Sequence, residues 1–417
     1  KSFHNNVLQC ALSLINLGVE AHDCINIIGF NSPQWIIANL GSIFAGALPA
    51  GVYTTNTPET CLQISEHCNA KVVFVENETQ LSKYLQIWDK LPNLKAIIQW
   101  NGPVPALDKK YKVYSWYSFM NTKGSGVCTA NLEPILEKRM RAQEPGNACS
   151  LIYTSGTTGV PKAVMLSHDN LTWTARIMWD WVSIGNNLSS SMEHHVVSYL
   201  PLSHVAAQMQ DIYCAMCSGS TVWFASPDAL RGTLPLTLRE VRPTLFFGVP
   251  RVWEKFHEKI TAICSSLPWW KQSLMGWCKN IGQNNIQGSS MWWTIANLLM
   301  FSRTKKSLGL DRCVLFFSGA APLQFETAKF FSGLGIHIHQ LFGMSECSGP
   351  QAVSVFRNPT INEQNSAWFP SYGHGTCGLT IWGCKTQITA EKEVTISGRN
   401  IMMGYMNDEE ATMAAID

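Results

Sequence analysis

The run "CSLIYTSGTTGVPKAVMLS" (residues 149–167) places an apolar stretch, a polar glycine-containing loop and a second apolar stretch in nineteen positions. Its first part reads as a buried strand. After Lys162, "AVMLS" reads as strand rather than helix. Between them, Gly156 and Gly159 allow backbone angles that other residues resist. Without Cβ atoms they let backbone N–H groups converge on an anion. Thr154, Ser155, Thr157 and Thr158 add hydroxyl donors, and Lys162 adds a positive charge. This is the composition of a phosphate cradle. It is not a Walker A loop, because Pro161 precedes the lysine and no helix follows.

Outward from this run, short β-rich segments alternate with helical patterns. "CINIIGF", "AGVYTT", "KVVFVE" and "LKAIIQW" lie before it, and "HVVSYL", "STVWFA", "TLFFGV", "CVLFFSG" and "IHIHQLFG" after it. Continuous apolar strands separated by helices imply parallel sheets covered on both faces. The fold class is α/β, of the doubly wound kind. Ser32-Pro33 marks a helix start and Gly18 a helix stop. The expected division is a first α/β subdomain over 1–147, a second over 148–365 that carries the loop, and a smaller β-rich piece over 366–417. Residues 101–147 read as a polar connection with weak structure.

The chain has 417 residues, 46% hydrophobic and 14% charged, with a net charge of +2. That argues against disorder and against nucleic-acid binding by bulk charge. The fourteen cysteines are irregularly spaced and read as reduced thiols. Cys214-Ala-Met-Cys217, His194-His195 and His337-Ile-His339 lack the surrounding ligands of a metal site. "LPWWKQ" (267–272) and "MWWTIANLLMF" (291–301) are read first as helices packed on a core. A membrane surface is the alternative, since both are too short to span a bilayer. No signal peptide opens the chain, and the sequons at Asn77, Asn170 and Asn187 are read as chance, so a cytoplasmic location is expected, with peripheral membrane contact allowed. "GHGTCG" (373–378) matches Gly-x-Gly-x-x-Gly, but its context is not strand–turn–helix.

With these residues on the page, "YTSGTTGVPKAVMLSH" resembles the signature loop of the adenylate-forming, or acyl-activating, enzymes. "FFSGAAPL" (316–323), "LFGMSECSGP" (341–350) and "YLPLSHVAAQ" (199–208) resemble three further motifs of that family, in the family's order. Together with "PRVWEK", they look like the bubblegum branch of long-chain acyl-CoA synthetases. The resemblance covers almost the whole chain. It implies the large N-terminal domain of such an enzyme, acting on ATP, CoA and a long-chain fatty acid with Mg²⁺.

By that resemblance Thr154, Ser155, Gly156, Thr157, Thr158, Gly159 and Lys162 would hold the ATP phosphates. Gly319, Ala320, Ala321 and Pro322 would line the adenine site, with Phe342, Gly343 and Met344 beside it. Ser345 would lie near the phosphate and Glu346 would ligate Mg²⁺. His204 would border the acyl carboxylate, with Val249 and Gly375 in the acyl pocket. Lys162, Glu346 and His204 would be the catalytic set. Ala163 stands where the family has glycine, and Phe342 where it commonly has tyrosine. The family's ribose-binding aspartate, hinge arginine and lid-domain lysine have no counterpart before Asp417, so the chain is expected to be shortened at both ends. Three readings stay open: a portion of an active ligase, an inactive truncated product, or a related adenylating ligase with another carboxylate substrate.

Overall fold

A computed structural model describes residues 1–121, 131–154, 161–185, 193–284, 290–354 and 375–416. The chain divides into two units. One comprises residues 1–172, 200–208 and 401–417, and the other residues 173–199 and 209–400.

The first unit carries β1 (Cys24–Ile28), β2 (Leu48–Val52), β3 (Val72–Val75), β4 (Ala96–Gln99), β5 (Val113–Ser115), β6 (Ala148–Thr154) and β7 (Lys162–Ser167). The second carries β8 (His195–Ser198), β9 (Thr221–Phe224), β10 (Leu245–Phe247), β11 (Leu315–Ser318), β12 (Ile338–Met344), β13 (Gly349–Val353), β14 (Leu379–Thr380), β15 (Lys385–Ile388) and β16 (Val394–Ser397). The chain then returns to the first unit as β17 (Gly404–Tyr405).

Among the described residues, the first unit's sheet runs β17-β7-β6-β2-β1-β3-β4-β5. The pairs from β6 to β5 are parallel, and β7 and β17 are antiparallel additions at one edge. The run β2-β1-β3-β4-β5 has a doubly wound order that reverses at β1. Its strands are apolar throughout because both faces are covered, and Ile25, Ile27, Val72 and Val73 have no exposed surface. The helix Pro33–Phe44 starts as its sequence implies, with Ser32 Oγ accepting from Trp35 N at 3.2 Å and proline in the first turn. Gly18, at φ 76°, takes the left-handed position after the helix Ser2–Asn16.

In the second unit β10, β11 and β12 run parallel, and β13 and β14 extend them antiparallel. β8 pairs in parallel with β9 and joins β10 through the Thr244 N–H to His195 O bond, 2.9 Å. An aromatic core lies behind these strands. Trp253 meets Phe246 edge-on at 5.3 Å and Phe331 at 5.0 Å, and its indole N–H donates to Phe317 O at 3.1 Å.

The observed division differs from the sequence expectation in three places. The boundary falls after residue 172, because β6 and β7 hydrogen-bond into the sheet of β1 to β5. The β-rich end is shared out: residues 375–400 stay with the second unit, while β17 returns to the first. Residues 101–147 include β5 and the helix Glu133–Arg141. Both are weakly patterned, since β5 has only three half-buried residues and the helix buries only Leu136.

Candidate active site

Ligands of doubly wound sheets collect beyond the carboxyl ends of parallel strands. The described motif residues of both units lie at or near such ends.

In the first unit, Thr154 ends β6 and Lys162 opens β7 as its antiparallel register partner. Residues Ser155, Gly156, Thr157, Thr158 and Gly159 lie outside the described residues. Lys162 Nζ stands 5.0 Å from the centroid of the Tyr405 ring on β17. Tyr405 is held opposite Val164, and Met406 N donates to Ala163 O at 2.9 Å. Ala163 is fully buried in the core that also holds Tyr153. Tyr153, the first residue of the motif, is a core residue. Its hydroxyl bonds His67 Nδ1 at 2.9 Å and Ile64 O at 3.3 Å.

His204 is positioned by residues that the motif reading does not single out. Asn31, just beyond β1, donates from Nδ2 to Leu200 O at 2.7 Å and accepts from Leu202 N at 3.2 Å. Gln208 donates to Leu202 O at 2.8 Å, and Tyr53 hydrogen-bonds Ser203. Gly51 in β2 lets the segment lie close, since a Cβ there would stand 2.7 Å from Ser203 Cα. His204 Nδ1 accepts from Ala206 N at 3.1 Å, which puts the proton of a neutral ring on Nε2. Burial lowers its pKa below the usual imidazole value, so the neutral form is favoured. A ring with Nδ1 occupied offers Nε2–H as a donor. That suits it to orient a carboxylate rather than to remove a proton.

In the second unit, Gly319 to Pro322 follow β11, Phe342 to Met344 end β12, and Val249 follows β10. Gly319 is buried, and a Cβ there would press on Leu341 at 3.2 Å. Ala320 takes φ 69°, a left-handed value, and exposes the Ala320-Ala321-Pro322 turn. Phe342 is half-buried and Met344 exposed. Gly343 sits at an irregularity in the β12–β13 pairing, and any Cβ there would overlap the carbonyl oxygen of Gly349. Val249 is half-buried and opens the helix Pro250–Ser265. Gly375, at φ 94°, lies with its Cα face towards the Phe325 ring.

Ser345 and Glu346 occupy a single 3₁₀ turn, Ser345–Cys347. Ser345 is buried and Glu346 half-exposed. Two features brace the turn. Cys347 Sγ accepts from Met344 N at 3.3 Å and donates to Gly349 O at 3.1 Å, and burial pushes its pKa up to about 11, keeping it a thiol. Asn400, fully buried, donates to Cys347 O at 3.3 Å and Gln351 Oε1 at 2.8 Å. It also accepts from Cys384 Sγ at 3.0 Å, and its carbonyl accepts from Ser348 Oγ at 2.7 Å. Nothing local in the sequence marks Asn400, which lies more than fifty positions from the turn.

The histidine and cysteine pairs have structural partners. His339 donates to Ser354 O at 2.7 Å, and burial depresses its pKa to about 4. His195 Nδ1 accepts from Trp223 Nε1 at 3.1 Å, and Cys214 Sγ lies 3.9 Å from Ala175 O. No group of three His, Cys, Asp or Glu among the described residues could hold a metal ion. Asn77 caps a helix by accepting from Gln80 N, and Asn170 is buried with its amide donating to Ile401 O at 2.9 Å.

The chain matches known proteins along its length. The family model described as AMP-binding enzyme covers residues 1–406. The long-chain-fatty-acid–CoA ligase ACSBG2 of Xenopus laevis is 42% identical over 429 residues, covering all of this chain and 55% of that protein. The Gallus gallus ACSBG2 is 43% identical over 434 residues, covering all of this chain and 54% of that protein. This chain therefore spans about half the length of these relatives. Among solved structures, the A-PCP didomain of the Segniliparus rugosus carboxylic acid reductase, in complex with AMP, aligns over all of this chain and 55% of its own. Its TM-score is 0.68 at 20% identity, a likeness of fold. With a family model matched across nearly its whole length, this chain belongs to the AMP-binding enzymes.

Proposed function

We propose that the protein containing this chain is a long-chain fatty acid–CoA ligase. The observation that carries the proposal is the 42–43% identity, across the whole chain, to proteins of that name. The placement of the described motif residues at or just beyond the carboxyl ends of β6, β10, β11 and β12 supports it.

The chemistry follows from what a carboxylate lacks. It is a poor electrophile until it carries a leaving group. A fatty carboxylate oxygen attacks the α-phosphorus of ATP, forming an O–P bond as the bond to pyrophosphate breaks. The CoA sulfur then bonds to the acyl carbon, AMP leaves with its oxygen, and the thiol proton passes to solvent. Such steps depend on positioning and on charge neutralisation. In this reading Thr154, Lys162 and the loop between them hold the departing phosphates. The turn at Gly319–Pro322 and Phe342 hold the adenine. The Nε2–H of His204 orients the attacking carboxylate, and Val249 and Gly375 border the acyl chain.

Mg²⁺ fits the residues present. It is bound through one or two carboxylates, with substrate phosphates and water completing its shell. Glu346, half-exposed on its braced turn, would supply one such hard oxygen donor. When bound, the ion would neutralise phosphate charge. The proposed location is cytoplasmic, with peripheral contact to an intracellular membrane.

The test is product analysis of the protein that contains this chain, given ATP, CoA and fatty acids of graded length. AMP and pyrophosphate are expected, with the highest kcat/KM on long chains. Release of ADP would overturn adenylation. AMP release only with short or aromatic acids would favour a related adenylating ligase with another substrate.

A further inference from the structure

The helices from residue 250 to 308 carry apolar side chains where a surface helix ordinarily carries polar ones. In the helix Trp269–Asn284 the buried positions are Cys278 and Gly282. Gly282 packs so closely that a Cβ would lie 2.7 Å from Gly333 O. The large side chains point the other way: Trp270 is 52% exposed, Leu274 39% and Trp277 37%, at i, i+4 and i+7. The next helical stretch repeats the inversion. Ala296, Met300 and Phe301 are buried, while Met291 is 70% exposed, Trp292 55% and Leu298 72%. The two outward faces meet, because the Trp277 and Trp292 rings are in edge contact at 5.9 Å. The helices pack on the core as the sequence reading expects, through Cys278, Gly282, Ala296, Met300 and Phe301, and leave several of their largest side chains outward. Single exposed apolar residues need no explanation, but a joined face of this kind does.

Its charge is one-sided. Between Glu258 and Asp311 the sequence has no Asp or Glu, and it has Lys259, Lys271, Lys279, Arg303, Lys305 and Lys306. Lys279 and Lys305 lie over the Phe330 and Phe316 rings, at 4.3 Å and 6.0 Å. Lys259, Lys271, Arg303 and Lys306 are exposed. Lys271 is also 5.2 Å from the centroid of the Trp270 ring, so cation and indole share one patch. Tryptophan with lysine and arginine beside an apolar face suits the boundary between water and an anionic bilayer. No helix among the described residues is long and apolar enough to cross a membrane.

We propose that the outward faces of the helices Trp269–Asn284 and Met291–Ala296, with Leu298 just beyond, form a docking surface for anionic phospholipid membranes. The indoles and leucines enter the headgroup boundary, and the exposed lysines and Arg303 meet lipid phosphates and carboxylates. The surface lies in one unit and needs neither ATP nor turnover to act.

The test is co-sedimentation of this chain with vesicles of phosphatidylcholine alone and of phosphatidylcholine with phosphatidylserine. Binding is expected to be at least tenfold stronger to the anionic vesicles and to weaken as salt is added. Removing one Lys or Arg near the surface is expected to lower partitioning about fivefold. Brominated lipid should quench the tryptophan emission. Two variants separate the contributions, Trp270→Ser with Leu274→Ser and Trp292→Ser, and Lys271→Glu with Arg303→Glu. Both should lose binding while keeping the wild-type melting temperature, because all five positions are exposed. If the serine variant fails to fold, charge reversal and the salt dependence of the unaltered chain still decide the matter. Equal binding to both vesicle types, unquenched tryptophan, or self-association abolished by the serine substitutions without vesicle binding would each overturn the proposal. The last outcome would assign the face to a second copy of the chain.

Discussion

The ammonium of Lys162 faces the ring of Tyr405, 5.0 Å from its centroid, across 243 positions of sequence. The contact exists because β17 returns to pair with β7, placing Tyr405 opposite Val164, two residues beyond the lysine. It gives a long, flexible side chain a resting place at the start of β7.

A cation–π contact at a partly exposed site is worth about 0.5–1 kcal/mol. Tyr405→Leu should therefore raise the KM for ATP by roughly two- to fivefold. Tyr405→Phe, which keeps the ring, should leave it near wild type. Pyrophosphate exchange in the full-length protein measures both. Lys162→Ala removes the charge itself and should slow that exchange at least about tenfold. Unchanged exchange in Lys162→Ala would count against the phosphate role.

Glu346→Gln keeps the shape of the side chain and removes its charge. Adenylation should fall at least about tenfold, a loss of roughly 1.4 kcal/mol, with a higher magnesium requirement. A magnesium titration of pyrophosphate exchange distinguishes this from simple misfolding. A wild-type titration curve in the variant would remove Glu346 from the metal role.

Asn400→Ala should destabilise the second unit. It strands Cys347 O, Gln351 Oε1 and the Cys384 thiol, and each buried group left unsatisfied costs roughly 1–3 kcal/mol. Urea denaturation followed by tryptophan fluorescence should show a lower midpoint. An unchanged midpoint would mean that the turn is held without this latch.

Asp211 lies on a π-helical turn, and burial pushes its pKa up to about 7 from 3.8. The folded state thus keeps a proton that the unfolded state releases. Stability from this group is complete below about pH 4 and is lost as pH rises to about 7, at about 1.4 kcal/mol per unit. Asp211→Asn should stabilise the protein at pH 8 by up to roughly 4 kcal/mol, with the gain shrinking towards pH 4. His339 acts in the opposite sense, since its pKa is depressed to about 4 and stability falls as pH drops below 6.5. Denaturation midpoints of wild type and Asp211→Asn across pH isolate the aspartate, because His339 is common to both.

Much of the architecture is legible locally. The five β-rich runs after the loop become β8 to β12, and Ser32-Pro33 and Gly18 bound helices as their chemistry requires. Strand and helix periods are properties of neighbours two to four residues apart, so they survive in sequence. The motifs are visible as sequence patterns for the same reason, since each is a run of a few neighbouring positions. The residues that brace those segments are not. Asn31 serves a segment 169 positions away, and Asn400 serves a turn more than fifty positions away. A buried asparagine carries no periodic mark.

The sequence alone determined the alternation of strands and helices, the polar, glycine-containing run between two strands, and the family to which its motifs are similar. Only the tertiary structure decided that β6, β7 and β17 complete the first sheet, that Tyr405 faces Lys162, and which side of the core-packed helices Trp270 and Trp292 take. The reason is physical. Backbone propensity is settled over a few residues, whereas sheet partnership and helix facing depend on which surfaces bury one another over hundreds of positions.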